Sequence, residues 1–187
     1  MASYRPIGDL WILARCKYKG GVKRYGGYLG GFAERARVLI GCPLDTPLLH
    51  VCGGMARQYP YARGFGPQDK TMDLDPECLP DFLMDVRAKE WPRLHRGKTG
   101  LEWGGIIIDP PYSEPDAEHY LPGRSKYPNP NDLVQTAINH LRIGYKVGII
   151  HYVWPACPKN AMEVAHVAVT CGRNNRERVF MVYERTN

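Results

Sequence analysis

The chain of 187 residues carries 25 lysines and arginines against 19 aspartates and glutamates, a formal net charge of +6 at pH 7. That length suits one domain with a sizeable core and is short for two. Its 44% apolar and 24% charged content excludes a disordered chain, and no apolar run approaches the roughly 20 residues of a membrane span. The excess of positive charge favours a polyanionic partner. The opening MASYRPIGDLW lacks the features of a signal peptide. Six scattered cysteines without a CxxC pair read as free thiols in a reducing compartment, and neither they nor the histidines show metal-ligand spacing. The expectation is a soluble, cytoplasmic protein with no metal.

In chain order, residues 10–16 form a strand or a short helix, followed by the glycine-rich basic stretch CKYKGGVKRY. From Tyr28 the apolar positions 28, 29, 32, 33, 36, 39 and 40 recur at helical spacing, predicting an amphipathic helix that ends near Gly41. LLHVCGG then reads as a buried strand running into a glycine turn, with Gly53 and Gly54 in the turn. TMDLDP closes a second short strand and DFLMDV offers a third.

GGIIIDPPY is the clearest element. Ile106, Ile107 and Ile108 suit a strand covered on both faces of a parallel sheet. Pro110 and Pro111 stop it, because neither has an N–H to give to a ladder. Asp109 therefore falls at the carboxyl end of a central strand, where open α/β sheets bind their ligands. The stretch SEPDAEHYLPGRSKYPNPND (113–132) shows no helical or strand pattern, and a loop that long in a compact domain has a function or is disordered. Asp132 is the expected N-cap of the helix LVQTAINHLRIG and Gly144 its C-terminal stop. YKVGIIHYVW is a further strand, and the tail reads as a hairpin around GRNN. His151 and Trp154, beyond that strand, are expected to pack as aromatics.

The tetrad Asp109–Tyr112 has a chemical rationale. An amine on a heteroaromatic ring is a poor nucleophile, because its lone pair is delocalised. A carboxylate at Asp109 can accept one amine hydrogen and the Pro110 carbonyl, held rigid by Pro111, the other. Together they favour the tetrahedral nitrogen needed for attack. Tyr112 can stack on the flat ring.

DPPY at 109–112 after a hydrophobic strand resembles the catalytic motif of S-adenosylmethionine-dependent amino-methyltransferases, especially the DNA adenine-N6 enzymes. The resemblance covers about residues 45–187. It implies an α/β, Rossmann-like methyltransferase fold of seven mostly parallel strands with an antiparallel terminal hairpin, as a single domain spanning 1–187. Residues 1–44 form a basic N-terminal segment that completes the methionine end of the cofactor pocket or lies on nucleic-acid backbone. The resemblance also implies a cofactor site for S-adenosyl-L-methionine. His50, Cys52, Gly53 and Gly54 would line its glycine turn, with Asp73 (Asp75 as fallback) and Leu74 at the ribose, Asp85 at the adenine and Asp109 beside the methyl group. The chain departs from the family's pattern where Cys52, Gly54 and Ala56 stand in place of three small or glycine residues, and where His50 replaces an acid. The helix expected after the turn is interrupted by Pro60, Gly64 and Gly66.

The implied activity is methyl transfer to adenine N6 in DNA, with base flipping. The alternatives are RNA adenine N6, guanine N2 of ribosomal RNA, or a catalytically silent subunit that binds nucleic acid or a partner. Tyr112, His119, Tyr120, Arg124, Lys126 and Tyr127 supply stacking rings and phosphate-binding cations for the nucleic acid. The loop 113–132, helped by the basic N-terminal segment, is expected to take the place of a recognition domain, and a partner subunit or a second copy of the chain is a further expected partner. A compact enzyme of this kind suits a phage or mobile element.

Overall fold

The computed structural model describes residues 5–14, 27–58, 63–94, 102–123, 126–171 and 177–187. The strands are β1 (Ile7–Ile12), β2 (Leu48–Val51), β3 (Lys70–Asp73), β4 (Phe82–Leu83), β5 (Gly105–Ile108), β6 (Lys146–His151), β7 (Ala161–Thr170) and β8 (Arg178–Arg185). They form one sheet in the order β1-β7-β8-β6-β5-β2-β3-β4. The pairs from β4 to β6 are parallel, while β8 runs antiparallel to both β6 and β7. This is the α/β, Rossmann-like arrangement expected. The seven anticipated strands are joined by an eighth, β1, which pairs parallel with β7 and extends that edge of the sheet. The basic stretch 15–26 and the GRNN turn lie outside the described residues.

Strand β5 shows why the sheet is central. All four of its residues are buried, and its isoleucines alternate between two cores. Ile107 packs with Phe32, Ile40, Phe180 and Trp11 on one face; Ile106 and Ile108 pack with Leu133, Val134, Ile138 and Trp103 on the other. On the first face lies helix α1 (Phe32–Ile40). It starts four residues later than the periodicity suggested, because Gly31 takes φ +81 at its N-cap and turns the chain away from helical geometry. It ends on Gly41, as expected. At Gly148 of β6 a Cβ would come within 2.3 Å of Phe180 Cζ, so only glycine lets that ring lie flat against the strand.

The second face carries helix α3 (Pro130–Asn139), with Leu133, Val134, Ala137 and Ile138 buried. Its N-cap is Asn129, whose side chain accepts a hydrogen bond from Asn131 N at 2.9 Å, rather than Asp132. Pro130 explains the shift, since a proline at the first helical position gives up no hydrogen bond and has the right φ already. At the other end, His140 rather than Gly144 is the C-cap. The segment 113–132, expected to be irregular, contains helix α2 (Glu114–Tyr120). Ser113 caps it by accepting from Asp116 N at 3.2 Å and donating to Asp116 Oδ2 at 2.8 Å.

Among the described residues, no α-helix directly follows β2 or lies between β4 and β5. After β2 the described residues contain one short 3₁₀ turn, Ala56–Gln58. Between β4 and β5 the space is filled by two indoles, Trp91 and Trp103, both buried in the α3-side core. Trp91 Nε1 donates to Val86 O at 2.9 Å and Trp103 Nε1 to Pro92 O at 2.8 Å, so the indoles satisfy two carbonyls of that connection.

Candidate active site

The carboxyl ends of β2, β3 and β5 are tied together by main-chain bonds. Asp109 N donates to Val51 O at 3.1 Å and Cys52 N to Met72 O at 2.8 Å. The glycine turn after β2 therefore lies directly beside the Asp109 tetrad. Cys52 and Gly54 both take left-handed φ, +52 and +51. For Cys52 this conformation is strained. A Cβ on Gly53 would come within 3.0 Å of His50 Cβ, whereas one on Gly54 would meet nothing within 4 Å. The turn is thus packed tightly underneath and open above, a cradle of bare backbone.

Asp73, the last residue of β3, borders that cradle. Its Oδ2 accepts from Gly54 N at 2.9 Å and its Oδ1 from Asp75 N at 3.0 Å. Each oxygen keeps acceptor capacity for a ligand hydroxyl. Burial pushes the Asp73 pKa above the ordinary carboxylate value, against the backbone donors that pull it down. Asp75, the fallback, is occupied as the cap of the 3₁₀ turn Pro76–Cys78, and Leu74 lies half-buried between the two. Asp85 follows β4 and is half-exposed; both its oxygens are held by Arg87, with Arg87 Nη2 at 2.5 Å from Oδ2. That pairing holds its carboxyl below the usual range.

His50 corrects an expectation. Its side chain is fully buried on the α1 face, with Nε2 3.2 Å from Asp69 Oδ2 and Nδ1 3.0 Å from the Tyr28 hydroxyl. Phe65 stacks on it at 4.8 Å. Strand alternation turns His50 away from the cradle, so it supports the turn from below and does not line the pocket. Burial pulls its pKa down despite Asp69. A neutral ring that donates from Nε2 to Asp69 accepts at Nδ1, and this orients the Tyr28 hydroxyl.

At the end of β5, the Tyr112 hydroxyl donates to Asp109 Oδ1 at 2.5 Å. The Tyr112 ring meets His151 edge-on at 5.3 Å and Tyr152 at 4.5 Å, and the Arg178 guanidinium lies 5.2 Å from the ring centre. Burial raises the Asp109 pKa; Arg178 and the Tyr112 hydrogen bond work against it. His151 packs as an aromatic, as expected, and burial takes its pKa down to about 4. The indole of Trp154, half-exposed, lies 4.9 Å from His166.

The residues of the insertion divide. Tyr127 returns to the site, its hydroxyl 3.4 Å from His151 Nε2. Tyr120, on the last turn of α2, is close enough to Asp109 and Arg178 to feel both charges. His119 and Lys126 are exposed, and Arg124 lies outside the described residues. Two neighbours of the tetrad, Arg178 and Tyr152, escaped the sequence reading. The signal for Arg178 was the hairpin itself: a strand returning antiparallel begins at the end where the parallel strands finish.

No family model matches the sequence, and no curated protein matches it. Among solved structures, TrmN from Thermus thermophilus superposes with a TM-score of 0.60 at 19% identity, over 86% of this chain and 50% of its own. The chain thus spans half the length of that protein. N-methyltransferase NodS from Bradyrhizobium japonicum WM9, in complex with S-adenosyl-L-homocysteine, gives 0.51 at 8% identity, over 81% of this chain and 84% of its own. Identities this low speak for the fold. The chain is built on the Rossmann-like methyltransferase fold, with an added edge strand.

Proposed function

We propose that the chain is an S-adenosylmethionine-dependent methyltransferase acting on the exocyclic amine of a nucleic-acid base, with adenine N6 in DNA as the first substrate to test. The observation that supports this most is the juxtaposition of the bare-backbone turn at Gly53–Gly54, the Asp73 carboxylate and the Asp109 tetrad on adjacent strand ends. That turn and carboxylate fit a nucleoside-bearing cofactor: open backbone for the chain of the ligand and spare acceptors for ribose hydroxyls. NodS, of similar fold, is a named N-methyltransferase and was crystallised with S-adenosyl-L-homocysteine. When bound, S-adenosylmethionine supplies an electrophilic methyl group.

The rest of the chemistry falls to this chain. Asp109 accepts one amine hydrogen and takes the proton that the nitrogen sheds on gaining the methyl group. The Pro110 carbonyl accepts the other hydrogen and so pulls the nitrogen toward tetrahedral geometry. Asp109 Oδ1 accepts from the Tyr112 hydroxyl and keeps capacity for a second donor, so the amine can share that oxygen while the Tyr112 ring holds the base. The net charge of +6 and the aromatic rim of Tyr120 and Tyr127 favour a polyanion with unstacked bases.

A methyl-transfer assay with labelled cofactor on DNA, on RNA and without nucleic acid tests the reading. Label in DNA that is lost in Asp109→Ala, with cofactor affinity kept within a few-fold, is the expected result. Label in RNA alone would move the substrate to RNA adenine or to guanine N2. Cofactor binding without transfer to either would favour a silent subunit.

A further inference from the structure

Arg178 is the first residue of β8 and sits level with the ends of β5 and β6 only because β8 runs the other way. Val179 pairs with His151, the last residue of β6, and Arg178 pairs with Val169 of β7. Its guanidinium lies 5.2 Å from the centre of the Tyr112 ring, whose hydroxyl is bonded to Asp109. The Arg178 side chain hydrogen-bonds Tyr152, while its Nε is buried without a hydrogen-bond partner among the described residues. A buried donor left unmatched is costly, so this one calls for an explanation beyond packing.

We propose that Arg178 is a positioning residue of the site: its guanidinium, seated against Tyr112, keeps Asp109 a carboxylate ready to accept an amine hydrogen. This rests on the methyl-transfer reading above. The groups that act on Asp109 come from every neighbouring element: Asp73 from β3, Cys52 from the β2 turn, Tyr28 from the segment before α1, Tyr112 beside it and Tyr120 from α2. Each of these is neutral or negative. Arg178 is, of the described residues, the cation set among them. A protonated Asp109 would present a donor to the amine, and the amine would lose the acceptor that draws its hydrogen away. In so enclosed a site burial favours that protonated form, and a nearby positive charge is the direct remedy.

The sign of the consequence follows. Activity requires ionised Asp109, so it falls as pH drops through the Asp109 pKa. Removing the cation lets that pKa rise further, and the fall comes at a higher pH. Two variants and two measurements decide the matter. Arg178→Gln removes the charge; Arg178→Lys keeps it. The titration of Asp109, followed by carbon-13 NMR of its carboxyl, needs no activity. The pH profile of single-turnover methyl transfer needs the reaction.

In Arg178→Gln the titration should move to higher pH and the acid limb of the rate should move with it, while the rate on the alkaline side returns to within a few-fold of wild type. Arg178→Lys should titrate close to wild type. An unmoved Asp109 titration in the Gln variant, a Lys variant that behaves like Gln, or an equal loss of rate at every pH would each overturn the proposal. If wild type transfers methyl to nothing, the function is wrong, and the carboxyl titration still decides whether Arg178 holds Asp109 ionised.

Discussion

Asp69, just before β3, is a hub whose partners are all donors, which makes Asp69→Asn a sharp probe of the core beneath the site. Its Oδ2 accepts from Arg37 Nη2, from His50 Nε2 at 3.2 Å and from Gly66 N at 2.7 Å, while Oδ1 accepts from Leu48 N at 3.0 Å. An amide has the same size but must point its NH₂ at one set of donors, whichever way it turns. Both ionic side chains are buried, Asp69 fully and Arg37 nearly so. Stranding one member of a buried pair costs roughly 3–5 kcal/mol. Arg37 keeps hydrogen bonds from Nε to Gly64 O and from Nη1 to Pro43 O, both 2.7 Å, which places the expected loss at the lower end, about 3 kcal/mol. That is a large share of a typical domain's total stability.

The assay is urea unfolding of wild type, Asp69→Asn, Arg37→Met and the double mutant. The double mutant should lose clearly less than the sum of the single losses, because each single change strands the other's charge. The pH dependence has a fixed sign. Burial raises the Asp69 pKa, but the hydrogen bonds from His50 and Arg37 outweigh it and hold the carboxyl below its unfolded value of about 3.9. Its contribution is therefore complete above that value and fades as pH falls through the lower folded pKa. The gap between wild type and Asp69→Asn should narrow in strong acid. A loss below 1 kcal/mol, or strict additivity with Arg37→Met, would refute this account of the hub.

Tyr112→Ala should nearly abolish methyl transfer at every pH, since both ring and hydroxyl are gone. Tyr112→Phe should keep more activity and lose it earlier on acidification, because it removes a hydrogen bond that helps Asp109 stay ionised; a Phe variant as poor as Ala in the pH profile would contradict this. Asp73→Ala should weaken cofactor binding by roughly 1–3 kcal/mol by calorimetry, the scale of hydrogen bonds to a charged acceptor, and unchanged affinity would move the ribose contact elsewhere. Replacing Arg124 and Lys126 with alanine should lower DNA affinity and flatten its salt dependence while sparing cofactor binding; an unchanged salt slope would turn attention to a partner subunit.

The place of the Asp109–Tyr112 tetrad was legible because two independent local rules meet there: a β-branched run buries a strand and a proline pair ends it. The hairpin and α1 were legible from their periods. What escaped has a physical reason in each case. Helix α2 buries Ala117 alone, so seven residues offered no apolar period, although Ser113 and Asp116 spelled its cap. His50 was assigned by its place along the strand, and the pleat decided which face it joined. Arg178 stands among several arginines at the end of the chain, and nothing local distinguishes it. Its role depends on a strand direction, and that is a property of the whole sheet. β1 was read as a strand or a short helix over residues 10–16; only Trp11 of its six residues is buried, so no clean alternation fixed its type or its start at Ile7.

That edge strand bears on how the chain is made. Ile7 is held beside Ala165, and Trp11 packs against Phe180, so the first described strand has no partner until almost the last residues are available. A chain emerging from a ribosome could assemble β2 to β6 early, but β1 must wait for β7 and β8. Contacts this remote in sequence form slowly, because the loop they close runs from Ile7 to Ala165. During synthesis, Ile7, Leu10 and Ile12 would travel as an unpaired apolar segment, and even in the finished fold they stay largely exposed. β1 therefore joins the sheet only after β7 is in place.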